Sequence, residues 1–202
     1  MFPNFESHFK ADGITSESEA GTEADSSSGQ GAPDLEDVLL RFGGWSFNQG
    51  LYRVMTPAIQ TSAQNFISTA FPSFRTTAVP FAYDWLGRVF AVETNELRLD
   101  IEGPTVLMFE PGTGEVHEMP ADLEEFHESE LVMHMDGVLA AEAHQQWLKA
   151  GNDALGLNQC AGYMSLLFLG GTDTLDNIST MELGEYWELS GGLIASVSGR
   201  EG

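Results

Sequence analysis

The chain has 202 residues, 42% of them hydrophobic, which is enough to bury a substantial core in one domain or two packed halves and excludes a small disulfide-stapled fold. Eight basic residues stand against 31 acidic ones, for a formal charge of -23. Phosphate affinity comes largely from Lys and Arg, so direct binding to nucleic acid or an anionic membrane is excluded as the primary role, and a basic partner is the natural complement.

The single cysteine, Cys160, allows no intrachain disulfide and no multi-thiolate zinc site, which fits a reducing compartment. The amino terminus lacks the basic and then apolar pattern of a signal peptide, and no run approaches the roughly 18 apolar residues of a membrane span. The expected location is the cytoplasm.

Phe2, Phe5 and Phe9 recur at helical spacing, which suits a short helix docked on the core; a frayed terminus is the alternative. From Thr15 to Ala32 the chain is Ser, Glu, Gly, Thr and Ala with almost no large apolar side chain, so burial cannot offset its ordering entropy and a disordered acidic spacer is expected. Asp34 then caps a helix with Leu35, Val38, Leu39 and Phe42 on one face, stopped at Gly43-Gly44. Trp45 to Val54, around Asn48-Gln49-Gly50, reads as strand, turn, strand.

Thr56 and Pro57 open the clearest helix, with Ile59, Ala63, Phe66, Ile67, Ala70 and Phe71 inward and Pro72 at its end. Two β-hairpins follow, Val79–Tyr83 with Arg88–Glu93 and Val106–Glu110 with Glu115–Met119. Pro120 and Asp122 open a helix carrying Leu123, Phe126 and Leu131 inward, and Asp136 opens a second that runs through Leu148 to Gly151. The apolar run Tyr163–Leu169 predicts a strand buried on both faces. A short strand near Ile178 and a helix from about Leu183 to Leu189 complete an α+β layout: antiparallel hairpins and sheet with flanking helices, in two closely packed halves.

Chemical signatures are sparse. Pro111-Gly112-Thr113-Gly114 lacks the Lys-Ser/Thr of a phosphate loop and reads as a tight turn, and there is no Gly-x-Ser-x-Gly elbow. Cys160 has no spacing that pairs it with a histidine, so a buried structural thiol is expected. Glu124 and His127 make one Glu-x-x-His, with His134 and His144 further along, yet a bundle di-metal site needs a second such pair; the histidines are read as surface or supporting groups. Asp173, Asp176 and Asn177 resemble a fragment of a calcium loop without its closing Glu, and a turn is the better account. No catalytic residue, cofactor or metal is expected.

The strongest electrostatic feature is Glu110, Glu115, Glu118, Asp122, Glu124, Glu125, Glu128 and Glu130, a stretch with no Lys or Arg. Glu128 and Glu130 lie toward the negative end of the expected helix, which stability alone would not favour. A solvated face is the structural account; the functional account is a patch that docks a basic partner, with Glu124, Glu125 and Glu128 on one outward face.

Several phrases together resemble bacterial immunity proteins of type VI secretion effector pairs, in which a GAD-like amino-terminal region precedes an immunity-type carboxy-terminal region. They are Gly43–Phe47 with Gly50–Val54, Pro80–Arg88, Leu107–Val116, Leu166–Gly171, Asp176-Asn177 and Tyr186-Trp187. The resemblance implies an amino-terminal segment at 1–33, a GAD-like α+β region at 34–134 and a carboxy-terminal immunity-type α+β region at 135–202. It also implies a non-enzymatic protein that sequesters a cognate toxin, often a nuclease, by stoichiometric binding. The Ser/Glu/Gly-rich insertion at residues 15 to 32 departs from the compact start of that family. A non-catalytic scaffold or regulatory adaptor of the same broad superfamily is the alternative reading, and an enzyme built from scattered carboxylates a more distant one.

Overall fold

The computed structural model describes residues 2–14, 35–94, 105–119 and 121–198. The spacer expected at 15–32, the Asp34 cap and Pro120 lie outside the described residues. Helix α1 (Pro3–His8) precedes strand β1 (Ala11–Ile14), and α2 (Leu35–Phe42) precedes β2 (Trp45–Phe47) and β3 (Tyr52–Val54). Then come α3 (Pro57–Ala70), β4 (Ala78–Asp84), β5 (Val89–Glu93), β6 (Thr105–Glu110) and β7 (Glu115–Met119). These seven strands form one antiparallel sheet in the order β1-β2-β3-β4-β5-β6-β7, each paired with its sequence neighbours.

The central strands are buried on both faces, and their side chains alternate between two cores. On β5, Phe90 and Val92 join one core while Val89 and Ala91 join the other; on β6, Val106 and Met108 part from Leu107 and Phe109 in the same way. This is the period-two geometry of a strand, applied to a sheet with helices on each side. The result is an α+β fold.

The first core holds Phe2, Phe5 and Phe9, all 2% exposed or less. Phe5 stacks on Phe9 at 4.5 Å between centroids and meets Phe42, Phe47 and Tyr52 edge-on or tilted. The amino-terminal helix is therefore docked rather than frayed. Covering the same face are α4 (Leu123–Glu125), a π-helical turn Phe126–Glu130, α5 (Leu131–Met133), α6 (Met135–Leu139) and α7 (Ala141–Lys149). This core draws on residues from both sides of position 134.

The second core lies under α3, the two-stranded sheet of β8 (Gln159–Tyr163) and β9 (Ile178–Glu182), and α8 (Leu183–Ser198). Helix α3 starts as expected: Thr56 Oγ1 accepts from Ile59 N, Pro57 occupies the first turn, and Ile59, Ala63, Ile67 and Ala70 are buried. Phe66 stacks on Trp187 with planes 7° apart, and Gly191 admits Ala70 close to α8.

Three expectations need correction. The apolar run Tyr163–Leu169 is not a central strand: β8 ends at Tyr163, Leu167–Leu169 is a 3₁₀ turn, and Met164 and Leu169 are 61% and 54% exposed. The strand is instead the small-residue stretch before it, where Gly162 lets Met181 and Tyr186 approach within what a Cβ would occupy. Asn177 and the Gly112 carbonyl hold the run's backbone in a loop, through Ser165 N, Ser165 O and Leu167 N. A sheet ladder is thereby replaced by side-chain and loop partners.

The helix from Asp136 to Leu148 is broken at Ala140, which sits at φ 50 in the left-handed region. Asp136 does not cap α6; its Oδ1 accepts from Glu142 N and caps α7. In α8, Tyr186 and Trp187 face inward, but Leu189 is 63% exposed and the helix continues to Ser198. Among the described residues no helix is long and apolar enough to cross a membrane.

Candidate functional site

The eight acids of the 110–130 stretch have unlike fates. Glu110 is half-buried beside His117, whose Nε2 lies 3.3 Å from it and 3.7 Å from Glu115. Asp122 caps α4 by accepting from Glu125 N at 2.8 Å. The carboxylate of Glu128 accepts from the backbone N–H groups of Asn4 and Phe5 at the start of α1, at 3.1 to 3.3 Å. Glu128 is thus not part of an outward face with Glu124 and Glu125. The π-helical turn that begins at Phe126 alters the helical phase and aims this carboxylate at orphan amide donors. Glu115, Glu118 and Glu125 are exposed and Glu124 and Glu130 half-exposed, so the outward acids are carried by β7 and the outer side of the helical segment.

The interior holds a charged centre on the β4–β5 hairpin. Asp84 is fully buried; its Oδ1 accepts from Leu86 N and Arg88 N and its Oδ2 from Arg88 Nε at 2.6 Å. Arg88 also donates to Val138 O. Burial pushes the Asp84 carboxyl up from its usual value while the Arg88 guanidinium draws it back. Arg53, also fully buried, donates to the carbonyls of Gly156, Gln159 and Asp84 and lies 4.4 Å over the Tyr83 ring. Trp85 Nε1 donates to Leu139 O, Trp187 Nε1 to Gly87 O, and Tyr83 Oη to Leu157 O. Arg53, Tyr83, Trp85 and Arg88 thus reach carbonyls of the carboxy-terminal part, and Trp187 reaches back to the hairpin. Gly87 and Gly114 occupy positive-φ turn positions as expected, whereas Gly112 has room for no Cβ because Tyr163 lies 2.6 Å from where it would be.

The thiol is buried as expected, whereas two of the histidines depart from the expectation. His127 and His144 are buried, not surface groups, because each fills an aromatic layer: His127 among Phe2, Phe5 and Phe126, His144 between Trp85 and Trp147. His127 Nδ1 donates to Leu123 O, so its Nε2 accepts from Tyr52 Oη at 3.0 Å. Burial pushes His127 and His144 down to about 4, so both rings are neutral at pH 7. His134 is exposed, apart from both. Cys160 is buried and its thiol is pushed up to about 12 by desolvation, which keeps it protonated. Asp173 accepts from Tyr163 Oη at 2.7 Å, and Asn177 bonds Ser165 and Thr172, the interactions of a turn. Among the described residues no group of three or more His, Cys, Asp or Glu is placed to hold a metal ion.

A cleft of about 330 Å³ opens between the β2–β3 turn and α7, lined by Lys10, Asp12, Asn48, Gln49, Leu51 and His144 among others. Its turn is unusual in that Asn48 and Gln49 both hold positive φ, 52 and 62, ahead of Gly50 at 84. Asp12 holds that backbone by accepting from Ser46 Oγ, Gln49 N and Gly50 N. The Asn-Gln-Gly spelling signalled a turn in the sequence, but nothing there linked it to Asp12 or His144, which come from distant segments.

No model of a known protein family matches the chain, and no curated protein is similar to it. Among solved structures, the crystal structure of Atu4351 from Agrobacterium tumefaciens is similar, with a TM-score of 0.56 at 16% identity, over 95% of this chain and 89% of that one. At that identity the likeness is one of fold.

Proposed function

We propose that this chain is a cytoplasmic immunity protein that binds a basic toxin, such as a secreted nuclease, and blocks it by stoichiometric association. The observation that carries the reading is where the charges lie. Of few cations, Arg53 and Arg88 are buried, so the exterior is even poorer in positive charge than a net -23 suggests. A nuclease cleft is basic because its substrate is a polyanion, and acids held on a rigid scaffold offer it a competing surface. Steering by such a surface raises association rates above the roughly 10⁵ to 10⁶ M⁻¹s⁻¹ of unsteered encounters. The resemblance of the local phrases to type VI immunity proteins supports the same reading.

The placement of the acids narrows the docking residues. Glu110, Asp122 and Glu128 serve the fold, and of the remaining acids of the stretch Glu124, Glu125 and Glu130 on the helical segment are the ones this reading assigns to a partner. The test is co-purification with the product of the adjacent gene, and survival of cells expressing that product with and without this protein. Protection that depends on this protein supports the reading; a partner that never associates at any ionic strength overturns it.

A further inference from the structure

Helical side chains three or four residues apart share a face, and the π-helical turn Phe126–Glu130 stretches that spacing to five, closing with a bond from Leu131 N to Phe126 O. The inward row is accordingly Leu123, Phe126, His127 and Leu131, all buried. The opposite row is Glu125, Ser129, Glu130 and Met133, none of them buried. An α-helical bond from His134 N to Glu130 O sets Met133 within one turn of Glu130, and a helical side chain leans over the turn before its own, so Met133 leans toward that carboxylate.

Met133 is 67% exposed, more than any other large apolar side chain among the described residues. It protrudes from a stretch that has no lysine or arginine between Arg98 and Lys149. Protein interfaces are built around a few apolar anchors that fill a partner's pocket, ringed by polar groups that exclude water. Methionine suits the anchor because its unbranched thioether adapts to an irregular pocket. The surrounding charge selects the occupant. A second copy of this chain would bring its own carboxylates against Glu125 and Glu130, and an anionic membrane its phosphates; a protein surface rich in Lys and Arg is the one of the three that is attracted.

We infer that Met133 is the apolar anchor of the interface with the basic partner, seated in a pocket of that protein whose rim carries the lysines or arginines that meet Glu125 and Glu130. This role for Met133 rests on the immunity reading above, and it divides the work of the surface: the carboxylates set how fast the partner arrives, and Met133 sets how long it stays.

The test uses the full chain and the product of the adjacent gene. Nuclear magnetic resonance follows the methyl groups of the eight methionines as that product is added, and binding kinetics are measured for wild type, Met133→Ala and Met164→Ala. The Met133 methyl should shift on complex formation while the Met164 methyl does not. Met133→Ala should dissociate at least about tenfold faster, with its association rate and salt dependence unchanged. Met164→Ala truncates a similarly exposed methionine in the loop after β8 and should dissociate as wild type does. Both side chains are exposed, so neither truncation threatens the fold. If wild-type protein binds but the Met133 methyl stays still, if Met133→Ala dissociates at the wild-type rate, or if Met164→Ala dissociates as fast as Met133→Ala, the anchor is refuted and the immunity reading stands. Wild-type protein that never associates overturns both.

Discussion

The β4–β5 hairpin and the 110–130 segment use the same residue types to opposite ends. Asp84 and Arg88 in the hairpin and Arg53 on the neighbouring β3 lie inside the molecule, and the two arginines donate to carbonyls far along the chain, at Val138, Gly156 and Gln159. The 110–130 segment has no Lys or Arg, and apart from Glu110 beside His117 the acids not used as caps lie toward the surface. Burial makes a charge demand a specific partner, so the first region organises the fold. Exposure leaves a charge screened and cheap, so the second region is free to be selected for something other than stability.

The largest effect is expected at Asp84. Asp84→Ala leaves Arg88 charged, buried and without its carboxylate, and should cost about 3–5 kcal/mol in urea unfolding, enough to unfold many domains of this size. A loss under about 1 kcal/mol would mean that the hairpin is not the organising centre.

His127 comes next. Its folded value of about 4 lies below the unfolded value near 6.5, so between those limits the unfolded chain binds more protons and stability is lost as pH falls. The loss from this ring approaches about 3 kcal/mol by pH 4. Comparing His127→Gln with wild type at pH 7 and pH 4.5 isolates it from the carboxylates: the variant should be less sensitive to acid over that range. An unchanged difference between the two pH values would place the proton elsewhere.

Glu128→Ala should cost about 1 kcal/mol, as the loss of a helix cap does, and should raise hydrogen exchange in residues 3–8 before any other element. Glu124→Lys with Glu125→Lys should move stability by less than about 0.5 kcal/mol, since neither side chain has a folding task in the structure. The contrast between these two substitutions separates the structural acid from the outward ones within a single turn of chain.

Much of the sheet was legible from sequence because its strands are punctuated locally. Asn48-Gln49-Gly50, Asp84–Gly87 and Pro111–Gly114 each spell a turn between β-prone residues, and Thr56-Pro57 spells a helix start. The misreadings share a cause. Tyr163–Leu169 has the composition of a buried strand, but Asn177 and Gly112, distant in sequence or from another element, take its backbone bonds. Ala140 turns left-handed where local propensity favours a continuous helix, and Glu128 changes role because of a π-helical turn that no periodicity announces. The site was legible only as charge. That acids cluster at 110–130 can be counted; that three of them cap, brace or hide depends on tertiary partners, as does the meeting of His144 with Asp12 across one cleft.

Recognition of a basic protein by the outward acids would show first in how fast the two proteins meet. The decisive quantity is the association rate of the adjacent gene's product with wild-type protein and with the Glu124→Lys, Glu125→Lys variant, at low and at high salt. Wild-type protein should associate fast at low salt and more slowly as salt rises, and the variant should associate more slowly and with less sensitivity to salt. Equal rates for the two proteins across all salt concentrations would contradict it.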